Sequence, residues 1–355
     1  MVDKRSWDKL MRGRTEPNWL IDTVLPFSAR ALLYADSGVG KTYAAVDMAC
    51  HVAFGKAWQG HWVTQGRVYY VASENPETID ARVKAWEALH HGAAQWKEAH
   101  PSEDEQFEVI ASGVDLAHSE SVAELLSELE PAALVVIDTL LASSDSGDLV
   151  KPDDSKRMVS QINRIRERTG ATVLIVHHTP DKGGNPMGGA VWRAALAVRM
   201  KLTRQHANGV NFGEMGDFTE GDKIILKCEK MTMWEQFEPQ TLPVRLVRVV
   251  DPTTGKAVRV PAIATDKANS RRSGKKAAGV GAAGKRRRSG SYSVGLVPTP
   301  VPPGGTLPTF EEVWAEGVRD NAELVRRTGL KPGTVRSRKS RKVGAATPAT
   351  VDLAS

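Results

Sequence analysis

One stretch of eight residues decides the fold, Ala35-Asp36-Ser37-Gly38-Val39-Gly40-Lys41-Thr42. It lies between an apolar run that predicts a strand, Ala31–Tyr34, and a helical pattern, Thr42–Val52. Apart from Ala35, which replaces the first glycine, the stretch matches a loop whose backbone N–H groups cradle phosphates. Alanine is a small departure, because the loop needs mainly a residue without bulk at that place. The stretch therefore predicts a nucleoside triphosphate site at the start of a helix.

The side chains at the end of this stretch have separate chemical tasks in such a site. Lys41 is expected to neutralise the β- and γ-phosphates, and the Thr42 hydroxyl is expected to ligate magnesium. The predicted ligands are therefore ATP and Mg²⁺. The predicted ATP-contacting residues are consecutive: Ala35, Asp36, Ser37, Gly38, Val39, Gly40, Lys41, Thr42 and Tyr43.

Around the loop, short β-branched runs alternate with amphipathic helical patterns, which predicts an α/β fold with a mostly parallel central sheet flanked by helices. Two runs, Leu134–Ile137 and Val173–Val176, are apolar without alternation, as expected of strands buried on both faces. The predicted strands are Ala31–Tyr34, Arg67–Ala72, Leu134–Ile137, Thr172–Val176, Val198–Leu202, Lys223–Lys227 and Val244–Val250. The predicted helices are Thr42–Val52, Glu77–Leu89, Val122–Leu129 and Ser155–Arg168.

Two acids are candidates for the chemistry of hydrolysis. Asp138 ends a buried strand, where a magnesium-orienting carboxylate is expected, although it could also be a helix cap or a loop acid. Thr139 follows it, so no second acid stands there to activate water. Glu74, just after the strand Arg67–Ala72, is the best candidate for that base. The alternative is a solvated glutamate before a helix.

Two adjacent histidines follow the run Thr172–Val176. A polar side chain at this strand end could sense the γ-phosphate and report it to the following loop. We favour His177 for this role and keep His178 as the second choice. Either could instead be an ordinary loop residue.

The charge of the chain is divided unevenly. Residues 267–355 hold 18 Lys and Arg against 6 Asp and Glu, whereas the preceding residues hold 30 against 36. A basic tail on a mildly acidic body indicates a polyanionic partner, most often nucleic acid, although a solvated basic linker is also possible.

Within this tail, residues 253–305 are rich in Gly, Ser, Pro, Lys and Arg, which predicts a flexible basic linker. Residues 306–343 resemble a small all-α helix-turn-helix unit, and residues 344–355 are expected to be a disordered tail. In that unit DNA would meet basic residues of the last helix, namely Arg336, Arg338 and Lys339. The alternative is a solvated charged helix that docks on the body.

The two cysteines, Cys50 and Cys228, are far apart and lack metal-ligand spacing, so neither a disulfide framework nor a zinc module is indicated. The amino terminus lacks the apolar run of a secretion signal. The longest apolar stretch, Ala132–Ala142, is too short to span a bilayer and is interrupted by Asp138. We therefore expect a cytoplasmic protein without a membrane partner.

Five segments together resemble the RecA-like ATPases of the RepA-type replicative helicase family, found in plasmids, phages and mobile elements. They are Pro17–Ile21, Ala35–Thr42, Gly66–Glu74, Val135–Thr139 and Val176–Thr179. The resemblance covers about residues 15–250 and implies a RecA-like P-loop fold. We accordingly place the ATPase domain at residues 15–252, after an N-terminal extension at residues 1–14. The resemblance also implies a ring, usually hexameric, with ATP between subunits and DNA through the centre.

The resemblance implies roles for single residues. The acid after the second strand is the catalytic glutamate, which supports Glu74, and the strand-end histidine is the sensor, which supports His177. The glycine-rich segment Lys182–Gly189 would face the channel, with Lys182 contacting DNA, although glycine there could serve loop flexibility alone.

A basic residue from the next subunit would also enter the ATP site, for which Lys230 is the first candidate and Lys227 the second. Many relatives carry an arginine two residues beyond such a lysine, whereas this chain has Thr232. Both lysines could instead be surface charges at a strand end.

The leading hypothesis is a DNA-dependent ATPase, a ring-forming helicase of phage or plasmid replication. A recombination ATPase that forms filaments on DNA is one alternative. A DNA-binding regulator that uses ATP as a switch with little turnover is another.

Overall fold

The computed structural model describes residues 6–11, 13, 17–99, 105–144, 147–179, 190–207, 217–232 and 234–265, and the single residues Thr309 and Ala315. The strands are β1 Trp19–Ile21, β2 Leu25–Pro26, β3 Arg30–Ala35, β4 Val68–Ala72, β5 Phe107–Ile110, β6 Leu134–Asp138, β7 Thr172–His178, β8 Val198–Gln205, β9 Lys223–Met231, β10 Gln240–Val250 and β11 Ala257–Ile263. The helices are α1 Trp7–Met11, α2 Lys41–Ala53, α3 Ile79–His90, α4 Gly92–Ala99, α5 Ser119–Glu128, α6 Pro152–Thr169 and α7 Ala190–Ala195.

The described residues form a nine-stranded central sheet in the order β11-β10-β9-β8-β3-β7-β6-β4-β5. From β8 to β5 in this order, neighbouring strands are parallel. The pairs β8–β9, β9–β10 and β10–β11 are antiparallel. The predicted α/β fold with a mostly parallel sheet is confirmed, and all seven predicted strands are present with ends shifted by a few residues.

The two faces of the sheet carry separate hydrophobic cores. Leu33 and Ala35 of β3 pack into the core that contains most of α2, whereas Leu32 and Tyr34 pack into the core that contains the buried side of α6. This split follows from the geometry of a strand, in which successive side chains point to opposite faces. The face on which the last residues of a strand lie therefore decides whether their side chains can contact the phosphate loop.

One predicted boundary is wrong. The linker was expected to begin at residue 253, yet Ala257–Ile263 form β11, which pairs with β10 along its whole length. The sequence hides this strand because it contains Pro261, which a sheet tolerates mainly on an edge strand. β11 occupies that edge, so the sheet continues to Ile263. The predicted helix-turn-helix at residues 306–343 lies outside the described residues, apart from two isolated positions.

Two compositional expectations can be compared with the structure. Cys50 and Cys228 are both buried free thiols. Among the described helices, none has the length and apolar character needed to cross a membrane.

The carboxyl ends of four parallel strands meet at one edge of the sheet. Ala35 pairs in register with His178, and Ala72 pairs with Asp138. In open α/β sheets ligands bind in the crevice outside this edge. The phosphate loop lies there, since it connects β3 to α2.

Candidate nucleotide-binding site

The shape of the phosphate loop depends on two glycines. Gly38 and Gly40 have φ angles of 74° and 109°, in the left-handed region that glycine adopts without strain. A Cβ atom on Gly40 would lie 2.6 Å from Ile224 Cδ1 and 2.8 Å from Phe218 Cζ. Gly40 is therefore required both by its backbone conformation and by close packing against side chains from the β9 region.

Five of the nine predicted ATP-contacting residues line one cavity of about 650 Å³, and they are Gly38, Gly40, Lys41, Thr42 and Tyr43. Ala35 and Val39 are buried. Asp36 and Ser37 are exposed. The loop thus presents its glycines and the first turn of α2 to the cavity.

Lys41 is the first residue of α2 and is only 5% exposed. Its Nζ donates to the carbonyl oxygens of Ala35, at 3.1 Å, and Asp36, at 2.9 Å. Burial lowers the pKa of the Lys41 ammonium to about 8, although the Asp138 and Glu74 carboxylates oppose the shift. A polyphosphate beside Nζ would add negative charge and favour the protonated lysine.

Asp138 is the last residue of β6 and is 2% exposed. The Tyr70 hydroxyl donates to its Oδ2 at 2.6 Å, whereas Oδ1 has no hydrogen-bond partner among the described residues. Burial raises the pKa of the Asp138 carboxyl, and the nearby Tyr70 and Thr42 hydroxyls oppose the shift. A buried carboxylate oxygen without a donor, close to the Thr42 hydroxyl, fits a site for Mg²⁺, which prefers oxygen ligands.

Glu74 follows β4 and is held beside Asp138 by the backbone. The N–H groups of Ser73 and Glu74 both donate to the Asp138 carbonyl, at 2.9 and 3.2 Å. The Glu74 side chain lines the cavity, and its Oε2 accepts from the Thr139 hydroxyl at 3.0 Å. The structure therefore brings the predicted base and the predicted magnesium ligand together, and Thr139 orients the base.

The two histidines lie on opposite faces of β7, because successive strand residues alternate. His178 lines the cavity, with Nδ1 3.1 Å from Lys41 Nζ and Nε2 3.5 Å from Glu74 Oε2. His177 is 7% exposed and does not line the cavity. The geometry therefore places His178, the second choice, and not His177 beside Lys41 and Glu74. A neutral imidazole with its proton on Nε2 accepts from Lys41 and turns its N–H toward Glu74.

A second wall of the cavity was missed by sequence reasoning. Its residues come from distant parts of the chain and are Arg82, Phe218, Leu246, Arg259 and Pro261. Arg82 lies over the Tyr43 ring at 4.9 Å, and the Tyr43 and Phe218 rings meet edge to face at 5.4 Å. These residues match no motif, because they come from separate elements: Arg82 lies on α3, Phe218 lies before β9, Leu246 lies on β10, and Arg259 and Pro261 lie on β11. The aromatic rings and guanidinium groups of this wall can stack against a planar ring of a bound ligand.

Neither of the two candidates for the trans-acting basic residue, Lys230 and Lys227, lines this cavity. Lys230 Nζ donates to the Arg193 carbonyl at 2.6 Å, and burial together with the charges of Arg199 and Arg30 lowers its pKa. Lys227 is exposed on β9. Four further DNA-contact candidates lie outside the described residues, namely Lys182, Arg336, Arg338 and Lys339.

Comparison with known protein families agrees with this site. Residues 2–184, just over half of the 355-residue chain, match the family model described as AAA domain. The match contains Lys41, Glu74, Asp138 and His178, and it ends before the segments that supply Phe218, β10 and β11. No curated protein matches the chain. The matched region and the geometry of its phosphate loop together show that the chain belongs to the AAA domain family of P-loop ATPases.

Proposed function

We propose that this chain hydrolyses ATP in the cavity beside α2 and that hydrolysis drives a DNA-dependent motor of the replicative-helicase type. One observation carries the hydrolytic part. Lys41, Glu74, Asp138 and His178 come from four separate segments, and the ends of the parallel strands bring all four to one cavity. This set contains a phosphate-binding cation, a metal-binding acid and a second, more exposed acid.

The role of each side chain follows from its surroundings. Lys41 and the N-terminal end of α2 bind the phosphates, and Thr42 and Asp138 hold Mg²⁺. When bound, the metal ion neutralises charge on the phosphoryl oxygens. Glu74 is 42% exposed at its side chain, so it can contact a water molecule, which it orients and whose proton it accepts.

His178 replaces His177 as the γ-phosphate sensor in this proposal. Its ring lies between Lys41 and Glu74 and has one nitrogen near each. When Lys41 turns from its carbonyl partners to a phosphate, the hydrogen bond to Nδ1 changes, and the ring can shift relative to Glu74. His178 can thereby connect phosphate binding to the position of the base and to the segment that follows β7.

The DNA-dependent part of the proposal draws on other observations. It is supported by the resemblance to RepA-type helicases and by the excess of Lys and Arg after residue 267. The partly exposed Glu74 leaves room for a side chain from a neighbouring subunit, for which Lys230 and Lys227 are the candidates. The proposed assembly is a homo-oligomeric ring of six subunits.

Forked DNA with a labelled strand tests this part. Wild-type protein should separate the strands when ATP and Mg²⁺ are present, and Lys41→Ala protein should not. Strand separation on neither fork polarity would reject helicase activity. Electron microscopy with ATP and single-stranded DNA distinguishes closed rings from the open filaments of a recombination ATPase.

A regulator with slow turnover is the second candidate, and the surroundings of Lys230 favour it. The Thr232 hydroxyl donates to the Ala197 carbonyl at 3.1 Å, and Lys230 Nζ is engaged by Arg193 of its own chain. Both contacts hold these groups within their own chain, whereas a trans-acting residue has to reach the cavity of the next subunit. ATPase rates with and without single-stranded DNA separate the candidates, because strong stimulation contradicts a slow switch.

A further inference from the structure

A fully buried ion pair joins the two ends of the connection between β8 and β9. Arg204 on β8 and Asp222 before β9 are each 0% exposed at their side chains, and Arg204 Nη2 lies 2.7 Å from Asp222 Oδ2. Asp222 also accepts from the Thr219 N–H at 3.0 Å, the Thr219 hydroxyl at 2.9 Å and the Ala207 N–H at 3.0 Å. Burial alone would raise the pKa of Asp222, but hydrogen bonds from Thr219 and Arg204 lower it to about 2. The pair therefore stays charged at neutral pH.

The guanidinium of Arg204 also contacts three residues that line the nucleotide cavity. Its Nη2 donates to the Asp217 carbonyl at 2.7 Å, and its Nη1 donates to the Gly38 carbonyl of the phosphate loop at 3.5 Å. Its central carbon lies 3.8 Å from the centre of the Phe218 ring, which is a close cation–π contact. One planar group thus contacts the phosphate loop, the Asp217 backbone and the face of Phe218.

Phe218 is the part of this arrangement that faces the cavity. It lines the cavity with Asp217, lies against Gly40 and meets the Tyr43 ring edge to face. In the proposed function Lys41 and Asp138 meet the phosphates and the metal ion, and Phe218 and Tyr43 form an aromatic wall of the same cavity. An aromatic ring held by a buried cation on its far side is a rigid platform for a planar ligand.

We propose that Phe218 contacts the nucleobase of the bound nucleotide and that Arg204 is a positioning residue that holds Phe218 against the phosphate loop. This inference rests on the proposed nucleotide-binding function. It assigns specificity for a nucleoside, as opposed to a bare polyphosphate, to a segment beyond the residues that match the AAA domain. Because base–aromatic stacking contributes about 1–3 kcal/mol, its loss corresponds to a roughly 5- to 150-fold loss of affinity.

Two variants and one control test the proposal on the full chain. Phe218→Leu removes the ring and keeps an apolar side chain of similar size. Arg204→Lys keeps the buried charge opposite Asp222 but lacks the planar group that stacks on Phe218. Arg245→Met is the matched control. It also removes an arginine from an ion pair, but this pair with Glu220 is exposed, with 57% of the Arg245 side chain and 51% of the Glu220 side chain accessible to solvent.

Calorimetry with ATPγS and with inorganic tripolyphosphate gives the readout, alongside kcat for ATP. Phe218→Leu and Arg204→Lys should bind ATPγS about tenfold more weakly. Their tripolyphosphate affinity should change less than about twofold, since Lys41, Thr42 and Asp138 are unchanged and the 3.5 Å contact of Arg204 with the Gly38 carbonyl is long. Arg245→Met should match wild type for both ligands. A role in folding alone would not separate the two ligands.

Three results would overturn the inference. They are unchanged ATPγS affinity in Phe218→Leu, unchanged ATPγS affinity in Arg204→Lys, and an equal loss for ATPγS and tripolyphosphate. Wild-type protein that binds neither ligand would instead reject the proposed nucleotide site. Wild-type protein that binds ATPγS while both variants bind it equally well rejects only this inference.

Discussion

Nδ1 of His178 lies 3.1 Å from Nζ of Lys41, which makes the imidazole a hydrogen-bond acceptor for the phosphate-loop lysine. The same ring places Nε2 3.5 Å from Glu74 Oε2. The phosphate-loop lysine and the proposed catalytic acid are therefore connected through one side chain.

This relationship predicts different effects for the two histidines. His178→Ala should lower kcat about tenfold or more, because the link between Lys41 and Glu74 is lost. His177→Ala should keep kcat within about twofold of wild type and lower Tm, since it removes a buried side chain. Steady-state ATPase rates and thermal unfolding check both variants. Equal loss of kcat in the two variants would contradict the placement of His178 as the sensor.

The lowered pKa of Lys41 predicts that the protein takes up a proton when ATP binds, to an extent that depends on pH. Its pKa is lowered to about 8, so a large fraction of the lysine is neutral at pH 8.5, and a polyphosphate would restore the charge. Calorimetry at pH 8.5 in buffers of different ionisation enthalpy should show proton uptake, and at pH 6.5 it should show little from Lys41. Lys41→Arg protein, whose side chain stays charged, should lose this uptake. Uptake that is equal at both pH values would count against the buried lysine as its source.

The low pKa of Lys41 also affects how the free energy of unfolding depends on pH. The direction is opposite to that for a lysine whose pKa is raised by an ion pair. The folded pKa of Lys41 lies below its unfolded value of 10.5, so the unfolded chain binds more protons between about pH 8 and pH 10.5. The contribution of Lys41 to the free energy of unfolding should therefore increase with pH across that window. Wild-type and Lys41→Met proteins, compared by urea unfolding at several pH values, check this difference.

The buried Asp138 carboxylate should be required for hydrolysis and should at the same time destabilise the folded protein. Its pKa is raised by burial, and Oδ1 lacks a donor among the described residues, so the charged form destabilises the fold at neutral pH. Asp138→Asn should raise Tm by about 2–4 °C and abolish magnesium-dependent hydrolysis. The Tm of this variant should respond less to added Mg²⁺ and ATP than that of wild type. A lower Tm without ligands would show that the charge is already compensated.

The sequence was sufficient for the parts of the site that depend on local chain order. The phosphate loop, Glu74 and Asp138 each follow directly from a strand pattern, and parallel strands carry such residues to one edge. The choice between His177 and His178 could not be made this way, because it depends on which face of β7 each residue occupies. The second wall was invisible for a different reason. Pro261 reaches the cavity through the antiparallel pairing of β11 with β10, and Phe218 lies in the segment before β9, so no short pattern encodes their arrangement.

The most direct test of the account is the turnover of Glu74→Gln protein compared with its ATP binding. Glutamine keeps the size of the side chain and removes the carboxylate that accepts a proton from water. The account predicts a kcat at least about 100-fold below wild type, with an ATP affinity within about threefold of wild type. Hydrolysis at a rate near that of wild type would contradict Glu74 as the base and, with it, the proposed arrangement of the site.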